Sequence, residues 1–309
     1  MKNQVLFLFA PLKERIWGST YFKNQLNITD QDSIGEMWSC SGYEGSDSII
    51  ENGDFKGETL SSLFKNHKEL FNNSKLNEFP ILVKLIATSD DLSVQVHPDD
   101  KYAREVENQL GKTEGWLILD ADSSSNIVVG HRAKNKEELI KYVENDDYEN
   151  LLIKRNVKKG DFFPIPSGTI HALGKGIVLL EVQQSSDVTY RFYDYHRKDK
   201  NGNERELHVQ KAIDVTDYVP YTNQIFNCLG KDKCIVWDNQ YFQVEYLSLD
   251  DKYQFNNPNH EYFIVTLIEK NVEIEGRELK VGESVIITSN CQSITLKGDG
   301  KVLITKSKE

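Results

Sequence analysis

Four residues in the first half of this chain could hold a metal ion: Gln95, His97, Glu114 and His171. Between them they offer two imidazole nitrogens and two oxygens. Mixed histidine and carboxylate ligands suit Zn²⁺ with a position left open for water or substrate. The same donors also accept Fe, Mn, Ni or Co, because geometry and supply decide selectivity.

Local sequence explains how each would be positioned. His171 closes the stretch Gly160-Asp161-Phe162-Phe163-Pro164-Ile165-Pro166-Ser167-Gly168-Thr169-Ile170-His171. Gly160 opens a turn, and Pro166 with Gly168 makes a second one. His171 is then expected at the start of a strand. Upstream, Leu92-Ser93-Val94-Gln95-Val96-His97 alternates with period two. In a strand, Ser93, Gln95 and His97 share one face while Leu92, Val94 and Val96 share the other. A solvated surface strand would show the same alternation, but a polar face lining an ion-holding cavity also explains the Gln and His. Glu114 follows a glycine turn at Gly111 and precedes the apolar run Trp116-Leu117-Ile118-Leu119.

The spacing G-x5-P-x-G-x2-H around His171 resembles the second motif of the cupin superfamily. Residues 5–215 together resemble one family closely, the type I phosphomannose isomerases. The resemblance runs through Pro11-Leu12-Lys13-Glu14-Arg15-Ile16-Trp17-Gly18 and Ile34-Gly35-Glu36-Met37-Trp38-Ser39. It continues in Leu82-Val83-Lys84-Leu85-Ile86, in the 92–100 stretch and in Gly111-Lys112-Thr113-Glu114-Gly115-Trp116. It ends with the His171 motif and Glu181-Val182-Gln183-Gln184-Ser185-Ser186-Asp187-Val188-Thr189-Tyr190-Arg191. The length is similar to the short bacterial branch. Two departures, Ser19 in place of a second glycine and Lys175 where the cupin motif often has Asn, touch no candidate ligand.

The resemblance implies an aldose–ketose isomerase of mannose 6-phosphate and fructose 6-phosphate, with one Zn²⁺ or other divalent metal per chain. It carries three catalytic candidates to this sequence: Arg191, which matches a functionally important Arg at the cavity mouth, Glu181 and Lys112. Such a reaction moves a proton between C1 and C2 and must stabilise an enediolate. A cation beside O1 and O2 would serve that end, and Arg191 is suited to it. Glu181 is the slightly favoured base, with Lys112 its close rival, since burial raises a carboxyl pKa and lowers an ammonium pKa. Lys84 and Ser93 are the expected phosphate contacts. Glu181 paired to Lys84 or Arg191 as a purely structural carboxylate is the competing reading. Two other functions compete: a different cupin metalloenzyme, and a non-catalytic sugar-binding cupin.

Composition agrees. The 309 residues carry a formal net charge of −11, which offers no electrostatic support for nucleic acid or an anionic membrane as partner. A sugar phosphate is also an anion, so basic residues must concentrate locally, as Lys84, Lys112 and Arg191 could. The start reads as a strand with no secretory signal, and no apolar run reaches membrane-spanning length. A cytoplasmic location follows as the expectation, with the four cysteines reduced.

The expected fold is mainly β: two cupin-type jelly-roll barrels, with short helices inserted in the N-terminal catalytic part. Residues 1–222 would form the metal-binding domain and 223–309 a second, metal-free barrel, whose strands recur with turn signals about every 8–12 residues. Helical spacing occurs over 58–71, 99–109 after Asp99 and Asp100, and 134–154. Of the remaining histidines, His208 and His260 are expected to be surface residues and His196 a packing or surface residue.

Overall fold

The computed structural model describes residues 4–198, 202–222, 226–228 and 230–308. The fold is mainly β with a few short helices. The chain divides into two compact units. One comprises residues 87–179 and 186–225; the other comprises the chain up to residue 86, residues 180–185, and the chain from residue 226 onward.

The first unit contains a five-stranded antiparallel sheet. Its strands lie in the order Tyr190–Tyr193, Val94–Val96, His171–Leu173, Asn126–His131 and Leu152–Asn156. Alternation sends Val94, Val96, Ala172, Tyr190 and Phe192 into one apolar cluster, together with Leu139 and Ile213 from the helices Lys136–Glu144 and Val209–Val215. Burying each valine contributes about 1.5–3 kcal/mol. That burial locks the register and so commits Gln95, His171 and Arg191 to the opposite face. A further antiparallel pair, Asp161–Ile165 with Glu114–Ala121, sets Glu114 across from Ile165.

The second unit contains a seven-stranded sheet in the order Lys233–Asp238, Phe242–Ser248, Lys301–Ser307, Phe263–Glu269, Ser284–Ile287, Val5–Phe9 and Ile49–Ile50. A four-stranded sheet accompanies it: Lys252–Asn256, Ser293–Lys297, Val272–Ile274 and Arg277–Leu279. Val265, Leu267, Val272, Ile274, Val285 and Leu296 belong to one buried apolar cluster contributed by both sheets. This is the two-sheet sandwich of a jelly roll. Val5–Phe9 pairs directly with Ser284–Ile287. That pairing ties the N-terminal strand to the C-terminal sheet.

Three local expectations need correction. Helical spacing over 134–154 resolves into Lys136–Glu144 and the short turn Tyr148–Leu151, and Leu152–Asn156 is a strand. Asp146, at φ +54°, ends the first helix, and pairing with Asn126–His131 captures the residues beyond. The cysteines are not all reduced: Cys228 and Cys234 form a disulfide, with Cα atoms 6.2 Å apart. A turn brings them together, in which the Lys231 N–H donates to Cys228 O at 3.0 Å and Gly230 adopts φ +79°. Cys40 and Cys291 remain as buried thiols. His208 is not a bystander on the surface, as described below. Among the described residues, no helix is long and apolar enough to cross a membrane.

Candidate metal centre

Backbone geometry brings the ligand candidates together within the first unit. Gln95 lies directly across from His171 on one side and from Arg191 on the other. The three therefore form a row on one sheet face, and His97 follows two residues after Gln95. The turns before His171 form as their residue types require. Gly160 and Gly168 adopt φ +87° and +84°. The Gly168 N–H donates to His97 O at 2.8 Å, which links the turn to the neighbouring ligand. Gly111 is needed for space, because a Cβ there would lie 2.5 Å from the backbone of Asp99 and Asp100. Asp99 caps the helix Asp100–Val106 by accepting from Tyr102 N at 2.8 Å, and Asp100 accepts from Gly111 N at 2.8 Å. With Lys112 N donating to Pro98 O at 3.0 Å, the Lys112–Glu114 segment is pinned beside His97.

Each imidazole is aimed by a carbonyl. His97 Nδ1 donates to Val188 O and His171 Nδ1 to Thr169 O, both at 2.8 Å. Both rings therefore present Nε2 as a lone-pair donor, the arrangement that second-shell carbonyls impose on metal-binding histidines. His97 Nε2 lies 3.4 Å from Glu114 Oε2, and His171 Nε2 lies 3.4 Å from Glu114 Oε1. The ligand atoms of His97, Glu114 and His171 all lie within 4.8 Å of one another, and all three side chains are buried. The Gln95 amide reaches to 3.4 Å from His171 Nε2.

Electrostatics keep these donors in ligand form. Burial, reinforced by Lys112, pushes the His97 pKa down to about 3 against the pull of Glu114. Burial likewise lowers His171, although Glu114 opposes it. Burial favours the protonated form of Glu114, but Lys112, His97 and His171 outweigh it and hold the carboxyl well below its ordinary range. Neutral imidazoles and an ionised carboxylate are what metal binding demands. Lys112 Nζ approaches Glu114 Oε2 at 2.9 Å and His97 Nε2 at 3.2 Å. Even so, neither buried Glu114 oxygen accepts a hydrogen bond of good geometry. Two such oxygens facing two imidazole lone pairs are chemically incomplete without a cation, so the donor set fits a divalent metal.

The other predicted residues are placed as follows. Arg191 is half-buried, and its Nη1 donates to Glu206 O at 2.6 Å. Burial, then Arg205, lowers its pKa. Ser93 is buried. Lys84 and Glu181 lie in the other unit and pair at 3.4 Å, both buried. Lys84 Nζ also sits 4.9 Å from the Trp38 ring centre. Glu36 is held beside it: Arg15 grips the Glu36 carboxylate at 3.1 and 2.9 Å, and the Trp38 indole N–H donates to it at 2.7 Å. Burial raises the Glu36 pKa, but Lys84 and Arg15 outweigh it. Arg15, Glu36 and Trp38 lie in the stretches that carry the family resemblance, which implies no role for them. Sequence reasoning missed the carbonyls of Val188 and Thr169, which no residue type could signal.

Residues 6–146 match the family model for the phosphomannose isomerase type I catalytic domain. The chain is 38% identical to a mannose-6-phosphate isomerase of Streptococcus mutans, over 98% of both chains. Its fold matches the crystal structure of the mannose 6-phosphate isomerase from Bacillus subtilis with a TM-score of 0.90 at 36% identity, covering 98% of this chain and 99% of that one. A mannose 6-phosphate isomerase crystallised with zinc and yttrium shares the fold at a TM-score of 0.76 and 15% identity, over 99% of this chain and 100% of the other. With these motifs in order and relatives aligned end to end, the chain belongs to the type I mannose-6-phosphate isomerase family.

Proposed function

We propose that this aldose–ketose isomerase works through one divalent metal, zinc by donor chemistry, held by His97, Glu114 and His171 with Gln95 as the fourth ligand. The observation that carries the proposal is the convergence of two carbonyl-aimed imidazoles on the two buried, unsatisfied oxygens of Glu114. The ligand types match tetrahedral zinc chemistry, and a distant relative of the same fold was crystallised with zinc. When bound, the metal would supply Lewis acidity and a template for the substrate oxygens.

The substrate is mannose 6-phosphate or fructose 6-phosphate. The reaction removes the C2 proton of the aldose, passes through an enediolate and returns a proton to C1. Arg191 serves as the cation that stabilises charge growing on O1 or O2, because guanidinium is a rigid donor and a poor base. Lys112, already fixed against Glu114, assists it. Glu181 is the favoured proton acceptor and Lys112 the alternative. Lys84 and Ser93 contact the phosphate. These roles follow from the family resemblance and from residue chemistry. The C-terminal barrel carries no comparable ligand group among its described residues.

The test is reconstitution. Chelated protein should lose isomerisation of fructose 6-phosphate under anaerobic conditions and regain it with zinc. Full activity in metal-depleted protein would defeat the proposal. Consumption of oxygen, or binding without turnover, would favour the other cupin readings.

A further inference from the structure

Arg191 is held at three points by one short segment. Its Nη1 donates to Glu206 O at 2.6 Å. Its backbone N–H donates to His208 Nδ1 at 3.2 Å, and its backbone carbonyl accepts from the His208 N–H at 2.7 Å. One histidine therefore engages both main-chain groups of the arginine. The need for this is visible in the strand. The pairing of Tyr190–Tyr193 with Val94–Val96 shifts register immediately after Arg191. A bulge of this kind loosens the ladder and re-aims a side chain. The segment that compensates is itself anchored. Arg205 donates to both oxygens of Asp194, at 2.7 and 2.6 Å. Arg197 ties the same carboxylate, at 2.5 Å, to the carbonyl of Asp91, also at 2.5 Å.

We infer that His208 is the positioning residue for Arg191, acting through the arginine's main chain rather than by touching substrate. The inference rests on the catalytic role of Arg191 proposed above. His208 accepts at Nδ1, so only a side chain with an acceptor at that place can substitute for it. The amide oxygen of Asn falls near the Nδ1 position, whereas that of Gln extends past it.

The experiment compares His208→Ala, His208→Asn and His208→Gln in the zinc-loaded full chain, with Arg191→Ala as reference. Loss of one hydrogen bond that holds a transition-state donor in place should lower kcat about tenfold in the Ala and Gln variants. KM should stay within about twofold and metal content should be unchanged, as expected when ground-state binding is spared. The Asn variant should recover to within about threefold of the parent. Adding His208→Ala to Arg191→Ala should cost nothing further, because both act on one interaction. Equal activities for Asn and Gln would overturn the inference, and this comparison stands even if the Ala variant does not fold. An additive double variant would overturn it as well. If Arg191→Ala itself retains near-parental kcat, the catalytic reading of Arg191 fails. If Arg191→Ala is crippled while all three His208 variants turn over normally, only the positioning role fails.

Discussion

Two buried polar groups, one in each unit, are handled in opposite ways. In the C-terminal barrel, Thr266 and Ser284 are buried hydroxyls on paired strands that satisfy each other at 2.8 Å. At the candidate metal centre, His97, Glu114 and His171 are equally buried, yet both carboxylate oxygens lack a well-formed hydrogen bond. A self-satisfied pair adds to stability and needs nothing from outside. An unsatisfied carboxylate costs stability and is retained where a ligand completes it. The first group closes on itself, and the second is left open to a cation.

The sharpest way to break this contrast is to delete a ligand. His97→Ala or His171→Ala should abolish bound metal and lower turnover by at least about 10³-fold, since several kcal/mol of charge stabilisation disappear. Thr266→Val should leave metal content and kcat alone. Elemental analysis showing parental metal in both histidine variants would end the site assignment.

Next in size is Arg191→Ala. It should keep its metal and bind substrate within about an order of magnitude of the parent, yet lose at least about 10²-fold in kcat, the scale for removing one donor to a developing oxyanion. Exchange of the C2 proton with solvent should fall in parallel. Normal exchange without isomer formation would move Arg191 to a later step.

Lys84→Ala should raise KM for mannose 6-phosphate about 10–100-fold, as expected for loss of a charge-assisted contact. Any trace activity on free mannose should change far less. Equal losses on both substrates would remove Lys84 from the phosphate site and leave it as the partner of Glu181.

The smallest effect concerns acid stability of metal-free protein. The folded-state pKa of His97 is depressed from 6.5 to about 3. The unfolded chain therefore binds the proton that the folded chain refuses. This contribution to stability is complete above about pH 6.5 and is lost progressively as pH falls toward about 3. Thermal unfolding of the chelated protein should show a midpoint falling across that window, and His97→Gln should flatten this component. A midpoint independent of pH there would contradict the burial of a neutral imidazole.

Legibility followed locality. The His171 turns could be read because Gly160, Pro166 and Gly168 impose their own backbone geometry. The Gln95–His97 face could be read because alternation is a two-residue rule, and the burial of Val94 and Val96 agrees with it. Glu114 was visible mainly through family resemblance, since it reaches the histidines from a separate strand pair. The helix expected over 134–154 failed because apolar spacing runs on through Leu151 and Leu152, while Asp146 and a distant strand partner decide the outcome. His208 left no trace, because gripping a neighbour's main chain asks nothing of the surrounding sequence. The pairing of Val5–Phe9 with Ser284–Ile287 was equally silent, as no local pattern names a partner so far away.

That last pairing orders events in time. Ribosomes add about 5–20 residues per second. The strand Val-Leu-Phe-Leu-Phe at 5–9 is made first, but its partner at 284–287 does not exist until 275 further residues have followed Phe9. For about 6–23 seconds, while the 113 residues from 171 to 284 are added, the nascent chain already contains all four candidate metal ligands and one edge of this apolar strand has no neighbour. Ile49–Ile50, on its other edge, is available from the start of that interval. Closing so long a loop comes late and slowly. The later strand therefore completes the earlier one, and a ribosome that stalls before residue 284 releases a chain with the strand at 5–9 half-paired.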